Sequence, residues 1–331
     1  MSEELVSVVV PCRNGEKHLR AALASALAQT HAPIEVLFVD DASTDGSLAI
    51  ARSFGERVRV VEAGGRGVAA ARNLGLRDAR GEFVHFLDAD DVLPARAIEE
   101  KLAVFRLFPE TDAVYSRSFV PFDPDVSETV VLPRGFADLV RRGRLTRATG
   151  FGERLGVPCP PCTPVLYRRA ILERSGGFDP AVPVQENLEL NLRLYLDGAR
   201  FLYLDRIGLV YRDDHRIARE TDRETYRSPA LLEGLSRLAE TARSRGALGS
   251  EIGDHLAAAA IEAGHEAAAH GDVRLADGWF AFANRLRPGA VPSRPLLRPF
   301  VRWLGPGRAS RLDRWFRHLA SKIGLVRRRR R

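Results

Sequence analysis

An α/β fold is predicted: a mainly parallel sheet flanked by helices, with a C-terminal helical appendage. Three observations predict it. Short apolar or β-branched runs alternate with segments of helical period through the first part of the chain. Several of those runs end in carboxylates or loop residues, as strands do where a parallel sheet collects its ligands. From about residue 228 the strand-like runs stop and Ala-, Leu- and Glu-rich helix takes over. The boundaries expected are 1–227 for the α/β domain, 228–287 for the appendage, and 288–331 for a proline-punctuated linker with a basic amphipathic tail.

The elements follow in order. LVSVVVPC (5–12) is read as a buried strand, and NGEKHLRAALASALAQ as a helix with Leu19, Leu23 and Leu27 on one face. IEVLFVDD (34–41) is the second strand, and STDGS opens the next helix with Ser43 or Thr44 as its cap. RVRVVEA (57–63) is the third strand, GGRGVAAARNLGLRDARG a glycine-punctuated helix, and EFVHFL the fourth strand. Pro94 then starts the helix ARAIEEKLAVF. Strands are expected over 112–120 and 127–133, and a short helix at GFADLVRRGRL. TPVLYRRAILERSGGFDP (163–180) reads as strand, helix and turn; QENLELNLRLYLDG (185–198) as an amphipathic helix with leucines at 188, 192 and 196; ARFLYLDRIGLVYR as one or two strands.

Composition narrows the class. At 331 residues and 45% hydrophobic content the chain can bury a sizeable core. No apolar run reaches the ~18 residues a spanning helix needs, and the acidic start MSEEL is unlike a signal peptide. A cytoplasmic protein is expected, peripheral on the inner face of the cell membrane if its tail binds there. The net charge of +7 sits in the tail, where residues 294–331 hold thirteen Lys and Arg against Asp313 alone. The body is therefore mildly acidic, and no nucleic-acid partner is expected. Cys12, Cys159 and Cys162 make no disulfide framework; the CPPC spacing of the last two lacks the second Cys/His pair of a zinc site.

FVHFLDADD (83–91) carries the chemistry. An apolar run ends in Asp88, Asp90 and Asp91, whose charges repel and resist desolvation. A helix start needs one Asp as its cap; three argue for a bound divalent cation. Pro11 to Asn14 and Asp40 with Asp41 end neighbouring strands, so one shared site is expected.

The ordered set VSVVVPCRNGEKHLRAALASALAQT, IEVLFVDDASTDGS and GVAAARNLGLRDARGEFVHFLDADD resembles the inverting glycosyltransferases of family 2, which have the Rossmann-like GT-A fold; TPVLYRRAILERSGGFDP and QENLELNLRL extend the likeness loosely to about residue 215. The resemblance implies a nucleotide-sugar donor, a glycan or lipid-linked acceptor, and Mn²⁺ or Mg²⁺ held by Asp88 and Asp90. It implies donor contacts from Pro11, Arg13, Asp40, Arg72 and Asp88, with Asp40 reading the base and Asp91 left as a cap. One departure stands out. The family shows Glu-Asp at the start of the 185–198 helix, with Asp as general base; here the pair is Glu186-Asn187. Asparagine is no base at neutral pH, so the expectation moves to Glu186, with Glu189 as its rival or an impaired, non-catalytic relative as the alternative. His215 is left outside the core site.

The first strand is not followed by G-x-G-x-x-G, which disfavours a dehydrogenase, nor by the glycine-rich loop of a nucleotidyltransferase. In the tail, Leu312, Trp315, Phe316, Leu319 and Ile323 share one helical face, beside arginines. An anionic membrane surface is the expected partner of that face, with a helix packed on the protein body as the alternative.

Overall fold

The structure is a computed structural model. It describes residues 4–119, 145–147, 164–182, 186–210, 229–244, 250–269 and 271–289. The expected strand at 127–133, Cys159, Cys162, His215 and the basic tail lie outside these residues, as does the short helix at 135–145 apart from Leu145.

Among the described residues eight strands form one sheet: β1 (Val6–Cys12), β2 (Ile34–Asp40), β3 (Val58–Glu62), β4 (Phe83–Phe86), β5 (Ala113–Phe119), β6 (Leu145–Arg147), β7 (Val165–Arg168) and β8 (Phe201–Val210). Their order is β3-β2-β1-β4-β7-β5-β8-β6. The first four pair in parallel, β7 runs antiparallel between β4 and β5, and β5 pairs parallel with β8. The mainly parallel sheet is thus as expected. The sequence reading missed β6, an antiparallel edge strand of three residues whose run is too short to show a period.

Alternation along β1 sorts the helices onto two faces. Val8 and Val10 join a core with α1 (Glu16–Leu27), α2 (Ser47–Arg52) and α4 (Ala97–Leu107). Val9 joins the opposite core with α3 (Val68–Asp78), α5 (Arg169–Arg174) and α6 (Glu186–Leu196). So α3 and α6, about a hundred residues apart in sequence, lie on the same face. On α6 the buried leucines are Leu190, Leu192 and Leu194. Leu192 is buried as expected, Leu196 is half-buried, and Leu190 and Leu194 add to the inward face; the side chain of Leu188 lies outside those described.

Helix α3 sits very close to the sheet. A Cβ on Gly75 would lie 2.3 Å from Val9 Cγ1 and 3.1 Å from Val39 Cγ2. Gly75→Ala is therefore expected to cost ~1–3 kcal/mol by overpacking. Equal denaturant midpoints for variant and parent would refute this contact.

The chain divides into two compact units, Met1–Ile217 and Ala218–Arg331. In the second unit α7 (Pro229–Ser244), α8 (Ser250–Ala269) and α9 (Val273–Leu286) supply the helices. Asp272 caps α9 by accepting from Leu275 N at 3.0 Å. The helix buries Trp279, Phe280 and Phe282, and Phe280 meets His265 of α8 edge-on at 5.3 Å. No helix among the described residues is long and apolar enough to cross a membrane.

Candidate active site

The carboxyl ends of β1, β2 and β4 converge, as parallel pairing requires. Cys12 pairs with Asp40 in register, and Leu87 N donates to Val9 O at 2.9 Å. The loops after β1 and β2 then clasp each other. Asn14 adopts a left-handed φ of 56°. Its amide N donates to Ser43 Oγ at 3.0 Å, and its Oδ1 accepts from Thr44 N at 2.8 Å. Gly15 N donates to Ser47 Oγ, Glu16 N to Asp45 Oδ2, and Gly46 N to Glu16 Oε2. Ser43 and Thr44 therefore do not cap α2, whose N-cap is Gly46 without a side-chain bond. Their polar groups are taken by a loop about thirty residues away, a partner invisible to local capping rules.

Pro11 is buried in β1 and Arg13 is exposed in the loop beyond it. Asp40 is 5% exposed; its Oδ2 accepts from Ser43 N at 3.3 Å, and its Oδ1 has no hydrogen bond among the described residues. Asp41, also buried, accepts from Arg66 N and Gly67 N at 2.8 and 2.9 Å, the amides leading into α3. That anchoring role was not foreseen, because either acid of the pair could have been the one turned to a ligand. Burial pushes the Cys12 thiol up to about 11, so it is a packed, neutral group rather than a nucleophile.

After β4 the chain makes a tight turn, with Asp91 N donating to Asp88 O at 3.1 Å. Asp88 and Asp90 are half-buried and Asp91 is buried. Arg72 enters this corner from α3. Its guanidinium is 3% exposed; Nη2 donates to Asp88 Oδ1 at 2.7 Å and Nη1 donates to Glu186 Oε1. The cation also lies 5.3 Å from the Phe178 ring centroid. Asn73 fixes that ring's backbone, donating to Phe178 O and accepting from Phe178 N, both at 2.8 Å.

Glu186, the expected base, is thus 7% exposed and engaged by a guanidinium. Its rival Glu189 is held by Arg193 through both oxygens, at 2.7 and 3.0 Å, and Arg193 also donates to Ser175 O and Gly177 O. Asn187 is half-exposed in the same turn of α6. Sequence reading gave the acids but not the Arg72–Glu186 pair; the AARN and QEN segments are too far apart for pattern to link them.

The donor chemistry of the Asp88–Asp90 corner fits a hard divalent cation. Asp88 keeps its Oδ2 without a hydrogen bond among the described residues, and its side chain is 35% exposed. No cluster of three or more His, Cys, Asp or Glu occurs among the described residues. Two carboxylates suit Mg²⁺ or Mn²⁺, which is commonly completed by substrate phosphates and water.

The mainly parallel sheet with its flanking helices is that of the GT-A fold class. Staphylococcus aureus TarS residues 1–349, solved with UDP-GlcNAc, superposes with a TM-score of 0.62 over 95% of this chain and 91% of that one, at 19% identity. GalNAc-T7, solved with UDP, GalNAc and Mn²⁺, gives 0.52 over 72% and 48%, at 17% identity. Residues 7–176 match the model of Glycosyl transferase family 2, and the chain belongs to that family. The uncharacterized glycosyltransferase EpsJ of Bacillus subtilis is 27% identical over 222 residues, 63% of this chain and 61% of that protein. The glycosyltransferase GlyG of Streptococcus pneumoniae is 40% identical over 114 residues, 33% of this chain and 37% of that protein. The chain therefore spans less than two thirds of either relative.

Proposed function

We propose that the protein transfers a sugar from a nucleoside-diphosphate donor to an acceptor hydroxyl, with inversion at the anomeric carbon and with Mn²⁺ or Mg²⁺ bound. The observation that carries this is the half-exposed Asp88–Asp90 corner at the carboxyl end of β4, where Arg72 meets Asp88 through one oxygen. In this reading Asp88 and Asp90 hold the cation, which when bound stabilises charge on the departing diphosphate. Asp40 reads the base: its Oδ1 is buried without a hydrogen bond among the described residues, and a ring N–H would satisfy it. Pro11 and Arg13 line the nucleoside side. Arg72 acts on the donor through Asp88, since both of its terminal nitrogens already meet carboxylates.

Proton removal is the weak step. Glu186 would have to accept the acceptor's proton while serving as counter-ion to a buried guanidinium, and Asn187 cannot accept it. Slow turnover is accordingly expected of the parent chain. Asn187→Asp is expected to raise kcat by ~10²-fold, the low end of what a placed general base supplies. The second reading, a donor-binding relative without turnover, is favoured by the same asparagine.

The deciding experiment incubates the protein with Mn²⁺ and a panel of nucleotide-sugars, with and without membrane extract, and follows nucleoside diphosphate release. Release that needs Mn²⁺ and rises in Asn187→Asp supports transfer. Donor binding with no release in either form supports the second reading. Extract-dependent release would support a lipid-linked acceptor in cell-envelope glycan synthesis, with residues 288–331 as the segment that meets an anionic membrane.

A further inference from the structure

We infer that Glu186 is a positioning residue whose task is to hold Arg72 in a one-point contact with Asp88, so that the second oxygen of Asp88 stays available to a divalent cation. This rests on the metal-dependent reading above. A guanidinium offers several N–H donors in a planar fork and meets a lone carboxylate through two parallel bonds by preference. Here the fork is divided. Nη1 goes to Glu186 Oε1 and Nη2 goes to Asp88 Oδ1 at 2.7 Å.

The division leaves Asp88 Oδ2 without a hydrogen bond among the described residues, on a side chain that is still 35% exposed. Glu186 is the opposite case, with a side chain 9% exposed. The arginine cannot easily leave, since it is buried against Phe178, and Asn73 pins the Phe178 backbone from both sides. A buried guanidinium that loses one carboxylate is left short of counter-charge, which is costly, and Asp88 is a carboxylate it already touches. Without Glu186, Arg72 would therefore close on both oxygens of Asp88 and compete with the cation for them. The strut also ties the turn after β4 to the first turn of α6.

The test measures Mn²⁺ affinity by electron paramagnetic resonance, with UDP as the nucleotide probe, and needs no turnover. Glu186→Ala is expected to weaken Mn²⁺ binding about tenfold, the range seen when a group supporting a metal ligand is removed. Glu186→Gln, which keeps an acceptor oxygen for Nη1, is expected to lose less. Removing the competitor as well, in Arg72→Met/Glu186→Ala, should restore affinity to within about threefold of the parent, as rescue of a coupled pair requires. A merely structural role for Glu186 would not be rescued by a second deletion. Unchanged Mn²⁺ affinity in Glu186→Ala overturns the inference, and so does a double variant no better than the single one. A parent protein that binds no Mn²⁺ with or without nucleotide overturns the metal-dependent reading instead, a result distinct from either.

Discussion

Asp90→Ala is expected to lower sugar transfer by about 10²–10³-fold while leaving the thermal transition close to that of the parent. The size follows from the proposal that Asp90 is a ligand of the cation, since single preorganised contacts to a developing charge are worth roughly this much. The intact fold follows from position: Asp90 is half-buried in a turn that is closed by the backbone bond from Asp91 N to Asp88 O. The comparison to make is release rate against Mn²⁺ concentration for parent and variant, with melting curves beside it. Equal rates at every concentration would remove the cation from the Asp88–Asp90 corner. A rate lost together with the fold would instead give Asp90 a structural task.

Lys101→Met is expected to stabilise the protein, most strongly below pH 7, by on the order of 3–5 kcal/mol. Lys101 on α4 is fully buried, and among the described residues its Nζ donates only to the Ala97 carbonyl, at 3.4 Å. Burial holds its ammonium down to about 7 from 10.5, opposed by the neighbouring Glu100 carboxylate. Around it lie Glu100, raised by its own burial, Arg206 at 3.9 Å from Glu100, and His85, held down to about 3 by burial and by the charge of Lys101. The sign follows from the protons bound. Below pH 7 both folded and unfolded states carry the lysine proton, and the folded state bears the full cost of a buried charge. Between pH 7 and 10.5 the folded state has released that proton and the unfolded state has not, so stability from this group rises with pH. Above 10.5 nothing remains to gain.

The advantage of Lys101→Met should therefore shrink steadily from pH 7 towards 10.5. His85 works in a separate window. Its folded form stays neutral between pH 6.5 and about 3, so its contribution is lost as pH falls through that range. Denaturant unfolding of parent and variant from pH 5 to 10 separates the two. A difference that does not change with pH would mean that the lysine is not the titrating group.

The first four strands and their helices were legible because each depends on a local period. The runs from Val6, Ile34, Val58 and Phe83 are β-branched or aromatic and are separated by helical spacing or glycine. Asp88 and Asp90 stood out for a similar reason, since crowded carboxylates announce themselves without a partner. Other features could not be read. The insertion of β7 between β4 and β5 is a choice of pairing, and the run VLYR is compatible with several neighbours. Ser43 and Thr44 carry a good capping signature, yet Asn14 takes both. Glu186 shows the difficulty most sharply. A carboxylate at a helix start can face an acceptor or a guanidinium, and no spacing rule chooses between them.

By itself the sequence determined the alternation of strand and helix, the acid-rich end of β4, and the asparagine at 187 where a base carboxylate was expected. Those are properties of composition and short-range order. Only the tertiary structure decided that Arg72, 114 residues before Glu186, would spend its charge on Glu186 and Asp88 together. The physical reason is that α3 and α6 pack on one face of the sheet, where a buried guanidinium must find its counter-charge within reach of a single side chain.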